Sequence, residues 1–155
     1  LRVENRVRNI LLEKAFKPGL DNIAARVFAI YHEISQGTIH SAKSAFEHAI
    51  ISPVCKNSPG LWKFYLLYML SIPEFRPKAK DLWYRALRDC PWSKELYILG
   101  LENLRANGLF GKAEEVEFRE MKSAWRVMGE KGLRVHVDLE DRFEDMLEME
   151  QKFIK

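Results

Sequence analysis

No run of eighteen apolar residues occurs in the chain, so no segment is long enough to cross a bilayer as a helix. The N-terminal stretch also lacks the pattern of a secretory signal. Cysteine is scarce. Cys55 and Cys90 are too few for a disulfide framework and are expected as small buried or half-buried thiols of a reducing compartment. The charge balance is nearly even, and a net +3 is too small to indicate a nucleic-acid partner by itself. Catalytic signatures are missing: the sequence holds no HExxH, no CxxC and no Gly-x-Ser-x-Gly. Gly108-Leu109-Phe110-Gly111-Lys112-Ala113 has a glycine and a lysine in suggestive order, but lacks the spacing, the final Ser/Thr and the preceding strand of a phosphate loop. His32, His40 and His48 recur every eight residues, yet Gly37 interrupts the first interval. The second interval is two helical turns, about 12 Å, too far for one metal ion. These absences point to a chain with no cofactor or metal that is not an enzyme.

What the chain has is helix. With 155 residues, 47% of them apolar, it is long enough for one domain with its own core. The most informative stretch is Lys78 to Trp92. Ala79, Leu82, Trp83, Ala86 and Leu87 recur at three and four residues and form one stripe of a helix that stops at Cys90-Pro91. The two alanines admit a close neighbour, while Trp83 and Leu87 fill the space around it. Leu61 to Leu70 is the expected partner, separated from it by Pro73 and Pro77, which makes a helical hairpin. Sliding the chain by 37 residues lays Ala42-Lys43 on Ala79-Lys80, Phe46 on Trp83 and Ala49-Ile50 on Ala86-Leu87. The same shift lays Phe28 and Tyr31 on Tyr65 and Tyr68, so the unit repeats.

In chain order, Arg2 to Phe16 reads as a helix with Val3, Val7, Ile10, Leu11 and Ala15 on its apolar side, ended by Pro18-Gly19. It resembles the second half of a repeat, and Leu1 in place of an initiating Met is expected for a piece of a longer protein. Leu20 to Gln36 is the next helix, with Ile23, Val27, Ile30, Tyr31 and Ile34 expected inward and Gly37 as its stop. Thr38 is the expected N-cap of a helix ending near Ser52-Pro53, and Ser58-Pro59 opens the following one. Ser93 caps a helix to about Ala106, closed by Asn107-Gly108. Lys112 to Met128 follows, with Val116, Phe118, Met121, Trp125 and Met128 apolar, and Gly129 to Gly132 is expected to break it. Leu133 to Val137 alternates and reads as extended. Asp138 then caps a final helix whose Leu139, Phe143, Met146, Leu147, Phe153 and Ile154 share one face, the other being strongly acidic and solvated. That apolar face is expected to dock on the last repeat or to bind a partner. The predicted architecture is all-α: an α-solenoid of about three stacked antiparallel hairpins plus a C-terminal capping helix. Its parts are a half repeat at 1–17, repeats at 20–53 and 58–91, a degenerate repeat at 93–128 and an acidic amphipathic helix at 138–155.

Trp62, Tyr65, Ala79, the run Tyr84-Arg85-Ala86-Leu87 and Pro91 resemble the half-a-tetratricopeptide (HAT) repeat, W-x-x-Y followed by A-R-x-x-Y-E-R-A-L and a proline. Lys80 and Lys43 stand where that family usually has arginine, and Ala25 replaces the first tryptophan, so the first repeat is degenerate. Cys90 to Tyr97, with Lys131 to Asp141 about 35 residues further on, is similar to the closing segment of the NRDE-2 ("necessary for RNA interference") family. Asp138 departs from that pattern, which in some members has proline there. The resemblance implies a nuclear, non-catalytic interaction scaffold in RNA silencing, exosome-linked RNA surveillance and splicing. It also implies an Mtr4-type RNA helicase as a partner of the full-length protein.

Three binding modes are open on the residues alone. A protein partner would use aromatic and apolar anchors, for which Trp62, Tyr68, Trp92, Tyr97, Phe143 and Met146 are the candidates. Single-stranded RNA would use the basic cluster Arg76, Lys78, Lys80, Arg85 and Arg88, although Glu74, Asp81 and Asp89 interleave with it. A homodimer would pair the apolar strip of the last helix with its copy.

Overall fold

The computed structural model describes residues 2–17, 19–111 and 114–131. Within them the chain is all-α, with the helices α1 (Arg2–Ile10), α2 (Ile23–Ser35), α3 (Ile39–Ile51), α4 (Pro59–Ser71), α5 (Ala79–Asp89), α6 (Lys94–Ala106) and α7 (Glu114–Glu130). A π-helical turn, Leu11–Ala15, prolongs α1, and a 3₁₀ turn, Arg76–Lys78, leads into α5. Two compact units divide the chain, Leu1–Tyr65 and Leu66–Lys155, with the boundary inside α4. The expected extended stretch at 133–137 and the acidic helix at 138–155 lie outside the described residues.

Turn chemistry places the helix ends. Asn22 caps α2, its side-chain oxygen accepting from the Ala25 N–H at 2.9 Å, so the helix begins three residues later than the apolar pattern predicted. Gly37 takes φ +73° between α2 and α3, and Gly108 takes φ +63° after α6, the left-handed conformation that glycine adopts without a Cβ clash. Ser93 caps α6 by accepting from the Leu96 N–H at 3.4 Å. Thr38 occupies the N-cap position of α3 without a side-chain capping bond. The first helix widens into its π turn before Phe16, whose N–H donates to the Leu11 carbonyl at 3.2 Å, and α7 runs on through Gly129 to Glu130, two residues past its expected end at Met128.

In the first unit α2 and α3 pack along each other. Ala42, Phe46, Ala49 and Ile50 form the buried stripe of α3. Phe46 stacks on Tyr65 of α4 with centroids 4.6 Å apart and meets Phe64 edge-on at 4.9 Å, both favoured aromatic geometries. The polar tips of this cluster are satisfied. Tyr65 Oη donates to Glu47 Oε1 at 2.7 Å, and Trp62 Nε1 donates to the Lys56 carbonyl at 2.8 Å.

In the second unit Ala79, Leu82, Trp83, Ala86 and Leu87 of α5 are all buried, the stripe that their spacing predicted. Helix α6 packs on α5 and α7 on α6. Trp83 is the keystone. Its indole lies against the backbone of α6 at Gly100, where an added Cβ would fall inside the ring. Its Nε1 donates to the Leu96 carbonyl at 2.8 Å. Phe110 meets its face edge-on at 6.0 Å. Lys80 Nζ ties α5 to α7 through Glu120 at 3.2 Å, and Glu120 also accepts from the Gly111 N–H.

Candidate protein-interaction surface

Helix α2 is rotated away from the orientation that a simple reading of its apolar residues predicts. Glu33, Ala29 and Ile30 are buried, whereas Ile23, Val27, Phe28 and Tyr31 face solvent. Tyr31 is 66% exposed and Phe28 55%. Of the five residues expected inward only Ile30 is fully buried. The cause is ionic. Glu33 receives a two-pronged hydrogen bond from Arg8, Nε to Oε1 at 2.8 Å and Nη2 to Oε2 at 2.7 Å. A carboxylate taken out of water is tolerable only when paired in this way. The pairing holds Glu33 below the usual carboxylate range against the opposing effect of burial, and raises Arg8.

A second fork fixes the start of the helix. Arg26 Nε and Nη2 donate to Asp21 at 2.8 and 2.9 Å. Ser52 Oγ adds a third donor to the same carboxylate at 2.7 Å. The Arg26 guanidinium lies 3.8 Å over the Phe16 ring, a cation–π contact that keeps this edge half-buried. The Arg26 bond, with that of Ser52, lowers the Asp21 pKa in spite of burial. Arg26 and Glu33 lie on one side of α2, and that side is tied to α1 through Arg8 and, by way of Asp21, to Ser52 after α3, which sets its rotation about its own axis. The apolar side chains left over then point outward as a strip about 12 Å long, two turns of helix.

Behind α2 lies a cavity of about 270 Å³ lined by Arg8, Phe16, Arg26, Glu33, Ser44 and His48 among others. Its arginines are engaged by Glu33 and Asp21, which leaves little charge for an added ligand. Among the described residues no three His, Cys, Asp or Glu side chains cluster as metal ligands would, and no helix is long and apolar enough to cross a membrane. Cys55 and Cys90 are buried free thiols, and burial pushes Cys90 up to about 11.

The aromatic candidates separate by burial. Trp62 and Tyr97 are each 1% exposed and are used up in packing. Tyr68 is half-buried, and Trp92 is 54% exposed just after the proline that ends α5. Phe143 and Met146 lie outside the described residues. Sequence reasoning missed Phe28, Val27 and Ile23 as surface residues. The available signal was Arg26 and Glu33 on the same helix, two charges that a core-facing stripe would have had to bury.

Three curated relatives match the chain. The "Nuclear exosome regulator NRDE2" of Mus musculus is 32% identical over 105 residues, 68% of this chain. The protein of the same name from Homo sapiens is 31% identical over the same share. That from Dictyostelium discoideum is 30% identical over 112 residues, 72% of the chain. The chain belongs to the NRDE2 family. It spans about 8% of the length of each of these relatives. No family model matches it, and no solved structure matches it.

In this NRDE2-family segment the basic cluster does not form a continuous stripe. Arg76 Nε donates to the Leu70 carbonyl at 3.0 Å, and Lys80 is paired with Glu120. Arg85 is half-buried and engaged within the protein. Lys78 is exposed. The Arg88 side chain is 75% exposed, with Asp89 at 3.6 Å. Much of the cluster's charge is thus spent inside the protein.

Proposed function

We propose that this chain is a non-catalytic interaction segment of the HAT-solenoid type, acting in nuclear RNA metabolism and binding a partner protein through the exposed apolar face of α2. One observation carries the reading: Ile23, Val27, Phe28 and Tyr31 stand in solvent on a helix whose rotation is fixed by the Arg8–Glu33 and Arg26–Asp21 pairs. A rigid strip of aromatic and β-branched residues at helical spacing suits an apolar helix or peptide of a partner, because ordering it costs little entropy on binding. The nuclear setting rests on the relatives' name, nuclear exosome regulator. RNA surveillance accords with that name; silencing and splicing, with an Mtr4-type helicase among the partners of the full-length protein, are what the NRDE-2 family resemblance implies.

Affinity capture from nuclear extract tests the reading. A discrete protein that survives nuclease and is lost with Phe28→Asp or Tyr31→Asp supports it. Recovery of RNA with only nuclease-sensitive proteins, lost instead with Arg88→Ala, would replace it by RNA binding, and the salt dependence would then be steep. Sedimentation at several concentrations reads out the homodimer alternative.

A further inference from the structure

The charge of the chain is unevenly placed. Residues 1–65, the first unit, hold nine Lys and Arg against five Asp and Glu, a net +4. Residues 66–155 hold sixteen against seventeen, a net −1. All of the positive excess thus belongs to the unit that carries the α2 strip. Folding separates the signs further. Glu33 is buried against Arg8, Asp21 is taken up by Arg26 and Ser52, and Glu47 accepts from Tyr65. Among the described residues of this unit Glu13 is the only exposed acid. Arg2, Arg6, Lys14 and Lys17, by contrast, are all exposed.

The two kinds of surface lie side by side. All six exposed residues of α2, Ile23, Ala24, Val27, Phe28, Tyr31 and Ser35, are uncharged. On α1, Val3 and Ile10 are 73% and 47% exposed, and Arg6 shares their stripe at three- and four-residue spacing. Two contacts fix the pairing of this stretch with α2: Arg8 meets Glu33, and the Phe16 ring lies under Arg26. The two therefore run antiparallel, which brings Ile10 level with Tyr31 and Lys14 level with Phe28. Packed helix axes are about 8–10 Å apart, close to one Debye length at physiological salt, so the positive field of this stretch reaches α2.

We propose, on the reading of α2 as the docking face, that its occupant is an acidic amphipathic helix of a partner protein. Its apolar side would cover Val27, Phe28 and Tyr31, with its carboxylates toward Arg6 and Lys14. An uncharged strip does not choose the sign of its partner, so the flanking cations do. A basic helix with the same apolar side would meet four exposed cations and one exposed acid, which disfavours it. Single-stranded RNA fits less well. Its bases stack on flat groups, whereas Ile23 and Val27, with Val3 and Ile10, offer branched aliphatic surface.

Two synthetic helical peptides, titrated against the full chain, provide the test. They share one leucine- and phenylalanine-rich side and carry either glutamate or lysine on the other. The glutamate peptide is expected to bind about tenfold tighter at low salt, and the gap to close as salt rises. Arg6→Glu with Lys14→Glu is expected to abolish the gap, and Arg6→Gln with Lys14→Gln to reduce it. Phe28→Asp is expected to weaken both peptides alike. Equal affinities that still fall with Phe28→Asp overturn the acidic partner and leave α2 as the docking face. A gap that survives the charge reversal overturns it too, as does binding of neither peptide. An oligouridine that displaces the glutamate peptide overturns it in favour of RNA. Capture from nuclear extract that ignores Phe28→Asp defeats the α2 reading itself, a result separate from the comparison of the two peptides.

Discussion

Gly100 offers a test in which two rules of protein chemistry predict opposite signs. It sits mid-helix in α6. In an exposed helix, Gly→Ala stabilises by about 1 kcal/mol through helix propensity. Here the Cβ would occupy the space of the Trp83 indole, which is fully buried. Trp83 would have to move, and its Nε1 bond to the Leu96 carbonyl would stretch or break. Overpacking of this kind costs about 1–3 kcal/mol, and stranding a buried N–H costs about 1–3 kcal/mol more. With the propensity gain set against these, Gly100→Ala is expected to destabilise by about 1–5 kcal/mol. Gly129→Ala is the control, because nothing lies within 4 Å of a Cβ placed there in α7. It is expected to leave stability unchanged or to raise it by up to about 1 kcal/mol. Urea unfolding followed by far-UV circular dichroism reads both. If Gly100→Ala proves as stable as the wild type while the control behaves as expected, the close approach of Trp83 to α6 is refuted.

Arg8→Leu should destabilise the first unit by about 1–3 kcal/mol by leaving Glu33 buried without its partner, measurable in the same urea assay. Glu33 and Asp21 have depressed pKa values in the folded chain. Their stabilisation is therefore complete above the unfolded carboxylate range, near about pH 4, and is lost as pH falls through the lower folded values. An acid titration should show a flatter loss for Glu33→Gln than for the wild type. Cys90, raised to about 11, should react with iodoacetamide at about pH 8 on the order of 10²-fold slower in the native chain than in urea. Its stability contribution runs the other way with pH. It is intact below the unfolded thiol pKa of about 8.5 and is lost as pH rises toward the folded value. Phe28→Asp and Trp92→Ala, both at exposed positions, should each change stability by less than about 0.5 kcal/mol, and only the former should abolish partner capture.

The sequence by itself determined that the described residues form seven helices and where most of them turn, though it misplaces the start of α2 and the end of α7 by two to three residues. Five apolar residues at three- and four-residue spacing are enough to define the buried face of α5, because its other side carries only charged and polar groups and Tyr84. Gly37, Gly108 and Ser93 act through their own backbone or one turn away, so their effect is local and readable, whereas the Asn22 cap, equally local, is missed behind the apolar Leu20. The family was legible in the same way, from short runs around Pro91 and Leu133. Helix α2 is different. It carries apolar residues on both sides, and its periodicity alone admits more than one orientation. Arg8 decides between them from 25 residues away in the chain, by requiring Glu33 to face it. The close contact of Trp83 with Gly100 is of the same kind, since nothing near either residue in the sequence announces the other. Charge pairing and steric exclusion act between elements brought together by folding, so only the tertiary structure could place the apolar strip of α2 in solvent.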